Sequence, residues 1–431
     1  MYMIKAPGIA GRAIDFALLF VYIYAIIFNY LPFAASKLIL LFLIVKMILL
    51  PGEIPYFKNK VFLYTMLVGG LFIVYFYFIT NLTEYRHYGF LFQTVYYFIE
   101  GIYGTYLMYI YLIGRYDAMY ILKMIFYVIC FQSIIIMITF LNDAFREFTF
   151  SLMPVIDPRQ ITTARLRGLS NSGGAGLSYL QSLGVFVGSY LILDKNEKNV
   201  VQKIVLITGI TVITVSLLFV ARTGLIFSCI FILALILQNA INNNMIKTLF
   251  KQTIYLVVVG LSIYHGYKLL VPASKVDVLN ERVFSRSFEL LSNYQETGSV
   301  GTESTDILAK MYIYPDKTRH LIFGKGLWDS PGDRKASGRW VDSDVGFVRL
   351  IFATGIVGTL LFYSIYVVYL LSLKNSIVWK VFPIGILCLI IIFVSGEFKE
   401  PFLVRGSGVI RVLFLMAFVF VNIPIKTNEE I

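Results

Sequence analysis

Long apolar runs broken by short polar connections set the pattern of this chain. Runs long enough to cross a bilayer as a helix, about 20 residues each, fall at 13–31, 34–50, 61–80, 88–114, 118–141, 176–193, 202–220, 223–240, 250–270, 345–372, 376–395 and 404–424. They predict an all-α polytopic membrane protein with about twelve transmembrane helices. The first run follows Lys5 and Arg12 and is longer than the apolar core of a cleaved signal, so it reads as an uncleaved first span even with Ala34-Ala35 behind it. Two long polar segments stand apart, 142–175 and 271–344. The expected organisation is one integral membrane domain: helices one to nine with the first loop in 1–270, a large loop over 271–344, and the last three helices in 345–431.

Between Val200 and Ala240 the apolar pattern is nearly unbroken, and one helix of that length would measure about 60 Å, twice the hydrocarbon thickness. Lys195, Lys198 and Lys203 precede it and Lys247 and Lys251 follow it, so the positive-inside rule holds both ends in the cytoplasm and demands a turn between them. Ala221-Arg222-Thr223-Gly224 is the polar, glycine-containing place for that turn, which puts Arg222 at an outward-facing helix start. Carried along the chain, the same rule places both termini and the short lysine-rich connections inside, and both long segments outside.

Composition excludes a soluble enzyme: 58% of the 431 residues are hydrophobic and 14% charged, with a mean hydropathy of +0.78. Cys130, Cys229 and Cys388 lie in predicted spans far apart in sequence and give neither a disulfide framework nor metal-ligand spacing. No metal, cofactor or nucleic-acid partner is expected.

Charge sharpens the picture. Lysine gathers on the inward connections, whereas only Arg12 and Arg115 of the sixteen arginines face inward. Long translocated segments escape the orientation rule, so many of these arginines simply solvate the loops. That account fits Arg222, Arg349 and Arg411 less well, because they sit at or within outer helix ends, where an unpaired guanidinium costs a few kcal/mol. A planar fork of permanent donors suits phosphate oxygens, and a diphosphate needs several forks. Outside a bacterial membrane the diphosphates near helix ends are mostly lipid-linked sugars on a polyprenyl chain; phospholipid heads and acidic polysaccharides also attract arginine. The first loop approaches its helix through Arg165-Leu166-Arg167-Gly168 and Gly173-Gly174, a phosphate cradle or a plain re-entry turn. Apolar spacing over 278–292 and 304–313 predicts two amphipathic helices in the second loop, capping a cavity or packing on the bundle. Glu100, deep in the fourth predicted span, speaks for a transporter or lipid flippase instead.

The second loop continues through Phe323-Gly324-Lys325-Gly326 and re-enters the membrane at Asp344, followed by Thr354-Gly355-Ile356-Val357-Gly358. Together with Arg165–Gly168 and Arg222-Thr223-Gly224, in this order, these segments resemble the O-antigen polymerase and ligase superfamily. The resemblance implies a GT-C-type glycosyltransferase of the bacterial inner membrane that works without a metal. It would join undecaprenyl-diphosphate-linked oligosaccharide repeat units into O-antigen or a related surface polysaccharide on the outer face. Membrane lipid and a chain-length regulator protein are the further implied partners. Ligases of the superfamily carry His-Asn eleven residues before the first glycine of the Thr-Gly pair; Asp344-Val345 stands there in this chain, which favours polymerase over ligase.

Such a reaction needs cations for the diphosphate and a group to take the acceptor's proton. Arg167, Arg222 and Arg349 are the expected diphosphate ligands, with Arg165, Arg405 and Arg411 in reserve. Asp344 is the expected base, a helix N-cap being its plain alternative, and His320 is the second candidate. Glu397, Lys399 and Glu400 would bind acceptor hydroxyls or pair with Arg405, and Trp328 and Trp340 would stack on sugar rings.

Overall fold

The structure is a computed structural model and describes residues 7–49, 59–83, 86, 88–154, 165–194, 199–242, 273–278, 280–281, 289, 293–295, 298, 303–328, 341–405 and 407–423. The predicted span at 250–270 and most of the amphipathic stretch at 278–292 lie outside them, as does Trp340. Among the described residues every regular element is helical. The first half holds α1 (Ile9–Tyr24), α2 (Ser36–Leu49), α3 (Lys60–Leu82), α4 (Tyr88–Tyr96), a π-helical turn (Tyr97–Tyr103), α5 (Gly104–Ile113), α6 (Ala118–Leu141), α7 (Asp143–Leu152) and α8 (Gly174–Leu193). The second holds α9 (Val200–Ser216), α10 (Arg222–Asn242), α11 (Ala273–Val278), α12 (Glu303–Lys310), α13 (Thr318–Phe323), α14 (Gly346–Leu373), α15 (Ile377–Val381), α16 (Pro383–Glu397), α17 (Phe402–Arg405) and α18 (Ser407–Asn422).

Six of these, α3, α6, α8, α9 with its 3-10 extension to Phe219, α10 and α14, are long and apolar enough to cross a membrane. The chain is a helical membrane protein. Polar side chains start the helices where the sequence supplies them: Asn59 accepts from the Val61 and Phe62 N–H groups, Asp117 from Tyr120 and Asn199 from Val201. The run at 200–240 does turn in its middle, with α10 opening on Arg222. The run at 88–114 is not one α-helix, because the π-helical turn carrying Glu100 interrupts it.

Helix α8 is the centre of the bundle, packed by α6, α9, α10 and α18. One end, termed upper, collects the C-termini of α1, α3, α6 and α16 and the N-termini of α2, α8, α10, α14 and α18. Backbone bonds tie it together: Asn171 N–H to the Tyr24 carbonyl at 3.0 Å, Leu166 N–H to Phe219 at 2.8 Å and Asn29 N–H to Leu152 at 2.8 Å. At the lower end Asp15 is fully buried and accepts from Tyr111, Arg115 and Tyr116 at 2.6, 2.8 and 2.6 Å, pinning α1 to the turn between α5 and α6. Three donors on one carboxylate supply the pairing that burial of a charge requires.

Helix α14 breaks at Gly355, whose φ of 68° lies in the left-handed half of the map. A break inside an apolar helix frees carbonyls that the membrane cannot satisfy. The Phe-Gly-x-Gly turn satisfies them: Lys325 N–H bonds the Phe352 carbonyl at 2.7 Å and Gly326 N–H bonds Ala353 at 3.1 Å. A β-carbon on Gly355 would lie 2.2 Å from the Ile322 carbonyl oxygen, so glycine alone lets the turn in. The two glycine motifs, far apart in sequence, are the two halves of one joint.

Candidate functional site at the upper end of the bundle

Four segments bring charged side chains together at the upper end: the loop before α8, the start of α10, the connection after α16 and the start of α14. The connection is the organiser. Glu397, the last residue of α16, is buried; its Oε2 accepts from the Tyr363 hydroxyl at 2.5 Å and its Oε1 from the Leu403 N–H at 2.7 Å. Glycine at 346 permits this fit, since a β-carbon there would fall 2.3 Å from Glu397 Oε2. Lys399 reaches across to α10 and donates to the Thr223 hydroxyl at 2.8 Å. Its neighbour Arg222 pairs with Glu289 of the large loop.

Glu400 completes the group. Burial pushes its carboxyl above the ordinary range; Lys399 pulls against this, Asp344 reinforces it and Arg165 opposes it. Arg165 lies over the start of α8, its Nη1 3.6 Å from where a Gly174 β-carbon would stand. Asp344 is exposed at the mouth of the group. It does not cap α14: the N-cap is Val345, whose N–H is taken by the Ser343 hydroxyl at 3.1 Å. Arg165 and Lys399 thus act on Glu400 together with Asp344, Arg222 stands one residue from the hydroxyl that Lys399 bonds, and Glu397 lies buried beneath the connection.

Below this group, the charged entrance, runs an apolar groove of about 340 Å³ between α14 and α16, lined by Tyr363, Tyr366, Val367, Leu370, Ile390, Phe393 and Val394 and ending at Glu397 and Phe398. Val367 and Val394 are more than half exposed, so the groove opens on the membrane-facing side of the bundle. An apolar trough leading to a charged entrance fits an amphiphile with a long tail and a polar, anionic head.

The other expected ligands lie elsewhere. Arg167 is buried, donates to the Pro154 carbonyl and has its own carbonyl held by Gln132 at 2.7 Å, so it latches its loop onto α6. Arg349 is 2% exposed and gives two hydrogen bonds, 3.0 and 2.6 Å, to the Trp328 carbonyl. Its guanidinium lies 4.5 Å from the Trp328 ring centre, and that ring stacks on Phe90 at 3.8 Å. Trp328 is fully buried and offers no face to a sugar. Arg411 joins Glu100 at 2.8 Å in a different cavity. His320 lines a third cavity of about 420 Å³ with Tyr75, Arg319 and Lys325, away from the entrance. The side chain of Arg405 and all of Trp340 lie outside the described residues. Sequence reasoning missed Thr223, Glu289, Tyr363 and Gly346. Thr223 carried a signal, as the hydroxyl beside a helix-opening arginine; Tyr363 is one aromatic among many in an apolar helix and carried none.

No protein-family model, curated protein or solved structure matches the chain.

Proposed function

We propose that this chain polymerises lipid-linked glycans: an inner-membrane glycosyltransferase of the O-antigen polymerase type, twelve spans in a GT-C arrangement, both termini cytoplasmic and the upper end facing outward. The observation that carries this function is a membrane-facing apolar groove that ends at Glu397 and Phe398, where the connection bearing Lys399 and Glu400 begins, with Lys399 bonded to the residue beside Arg222 and Arg165 acting on Glu400. An apolar trough with a cationic cluster next to its end matches the two halves of a polyprenyl diphosphate. The polyprenyl tail lies along α14 and α16, and the diphosphate faces Arg165, Arg222 and Lys399. Glu289 already pairs with Arg222, so diphosphate binding exchanges one anion for another instead of desolvating a bare guanidinium.

In the reaction the acceptor's hydroxyl oxygen attacks the anomeric carbon of the donor glycan. The bond from that carbon to the phosphate oxygen breaks, and the diphosphate leaves with its growing charge stabilised by the cations. Asp344 takes the hydroxyl proton. Glu400, with its raised carboxyl beside Asp344, is placed to share that proton before it reaches water. Glu397 serves as a positioning residue that fixes the connection carrying Lys399 and Glu400.

The test is polymer formation by the purified protein in liposomes loaded with an undecaprenyl-diphosphate-linked repeat unit. The wild type is expected to give a ladder of lengthened glycans. Arg222→Gln and Lys399→Gln each remove charge-assisted hydrogen bonds worth about 1.5–3 kcal/mol and should slow the ladder roughly ten- to a hundredfold. Transfer to lipid A-core without a ladder would make the protein a ligase, and translocation of the lipid without bond formation a flippase.

A further inference from the structure

Lys37, Glu100 and Arg411 meet in a second cavity at the upper end, of about 650 Å³. Its wall toward the groove is α17 with the hydrogen-bonded hydroxyls of Tyr97 and Tyr366; Leu403 and Tyr366 line the groove, Val404 and Tyr97 the cavity. The two chambers stand back to back. Arg411 is 1% exposed and donates to the Tyr22 carbonyl, to Glu100 Oε2 at 2.8 Å and to the Ser36 hydroxyl at 3.4 Å. Its Nε has no hydrogen-bond partner among the described residues. A buried charged donor left unsatisfied is costly, and this one belongs to a residue that lines the cavity.

Lys37 stands 4.0 Å from the other oxygen of Glu100 and 4.9 Å from the Tyr96 ring centre. Two cations therefore share one carboxylate, and the cavity retains an excess of positive charge. The N-terminus of α2, which supplies Lys37, adds the positive end of its helix dipole. Gln93 and Asn171 contribute amides to the lining. Glu100 sits on the π-helical turn, a distortion that recurs at functional sites. Deeper along α2 Leu41 and Val45 are 58 and 44% exposed, and Ile99 beside Glu100 is 42% exposed, so an apolar wall adjoins the cavity at membrane depth. An anion-binding head above a lipid-facing wall calls for a second amphiphile that carries phosphate.

We propose that this cavity binds the diphosphate head of a second polyprenyl-linked glycan, the acceptor. This rests on the polymerase function proposed for the chain, because lengthening joins two lipid-linked glycans and therefore needs two seats. The acceptor's sugars would extend over α17 toward the entrance at Asp344, while its lipid stays outside α2 and the π-helical turn.

The experiment uses the full chain in phosphatidylcholine nanodiscs with a photoreactive undecaprenyl diphosphate, and maps the crosslinked peptides by mass spectrometry. Two labelled regions are expected, one at the groove between α14 and α16 and one at the start of α2 and the π-helical turn. Lys37 is 45% exposed at its side chain and tolerates replacement; Lys37→Gln should lower labelling of the second region roughly tenfold, as loss of one charged contact does, and leave the first unchanged. Unlabelled undecaprenyl diphosphate should displace the probe. Equal displacement by phosphatidylglycerol or by inorganic diphosphate would make the cavity a general anion site and overturn the proposal. So would an unlabelled second region, or labelling indifferent to both Lys37→Gln and Lys37→Glu. A protein that polymerises but binds one lipid loses only the second seat. A protein that binds two lipids but makes no polymer loses the enzymatic function, and the acceptor role with it.

Discussion

At the scale of single residues, the partner of each arginine separates machinery from scaffold. Arg222 pairs with a carboxylate of a loop and stands beside the lysine of another connection, so its partners can be exchanged for a ligand. Arg349 is tied to the Trp328 carbonyl in a fully buried stack. Its replacement by alanine removes both hydrogen bonds to that buried carbonyl and the stacked guanidinium, and is expected to lower the unfolding temperature in detergent. A variant that unfolds normally yet makes no polymer would return Arg349 to the diphosphate site. For Asp344→Asn the fold should be untouched, because the side chain is exposed and caps no helix. Turnover should fall by at least the roughly hundredfold of a lost general base, with binding of lipid-linked substrate retained; full activity would remove Asp344 from the role. Glu400 gives a test by pH. Its folded carboxyl is raised, so above about pH 4, the usual unfolded value, the folded protein holds more protons than the unfolded one. Stability should therefore fall as pH rises through that window, and Glu400→Gln should flatten the fall. The sequence made Arg222 legible through the lysines that force a turn beside it. It could not separate Arg349 and Arg411 from the site, because their partners lie 21 and 311 residues away.

Among the elements, α14 shows most clearly how sequence and structure meet. Its extent was plain from its apolar run, and so were the glycines around its break. Their purpose was not, because periodicity records which residues are apolar and not which carbonyls lack a donor. The break at Gly355 and the turn at Gly324–Gly326 depend on each other, since the turn supplies the N–H groups that the break leaves wanting. Gly355→Ala forces a left-handed alanine into contact with the Ile322 carbonyl. The expected loss is about 1–3 kcal/mol from backbone strain, with a further loss as the turn retreats. Thermal unfolding of the purified variant measures it, and an unchanged midpoint would mean that the joint carries no load. The π-helical turn at Tyr97–Tyr103 was likewise hidden, since its apolar run reads as one continuous span. Glu100, which read as a lone acid and hence as a transporter residue, has two cations beside it.

For the molecule as a whole, the sorting of charge defines two unlike ends. Lys46, Lys60, Lys123, Lys203, Lys374 and Lys380 fall on the lower halves or lower connections of their helices, whereas Arg165, Arg167, Arg222, Arg349 and Arg411 lie at the upper end. Lysine stands above as well: Lys37 and Lys399, one in each of the two proposed lipid seats, Lys275 buried against Asp143 at 2.7 Å, and Lys310, Lys317 and Lys325 in the large loop, so among the described residues it is arginine, with only Arg12 and Arg115 below, that tells the ends apart. The proposed function sets the lower end in the cytoplasm, the side to which the positive-inside rule assigns lysine-rich connections, and it depends on that orientation, because both proposed lipid seats must open where finished repeat units are displayed. Impermeant maleimide labelling decides it. With Cys130, Cys229 and Cys388 replaced by alanine, Glu147→Cys at the exposed upper end should label in intact spheroplasts. Lys374→Cys at the lower end should label only after permeabilisation. The reverse pattern would turn the cations toward the cytoplasm and withdraw the polymerase function, whatever ligand the groove proved to bind.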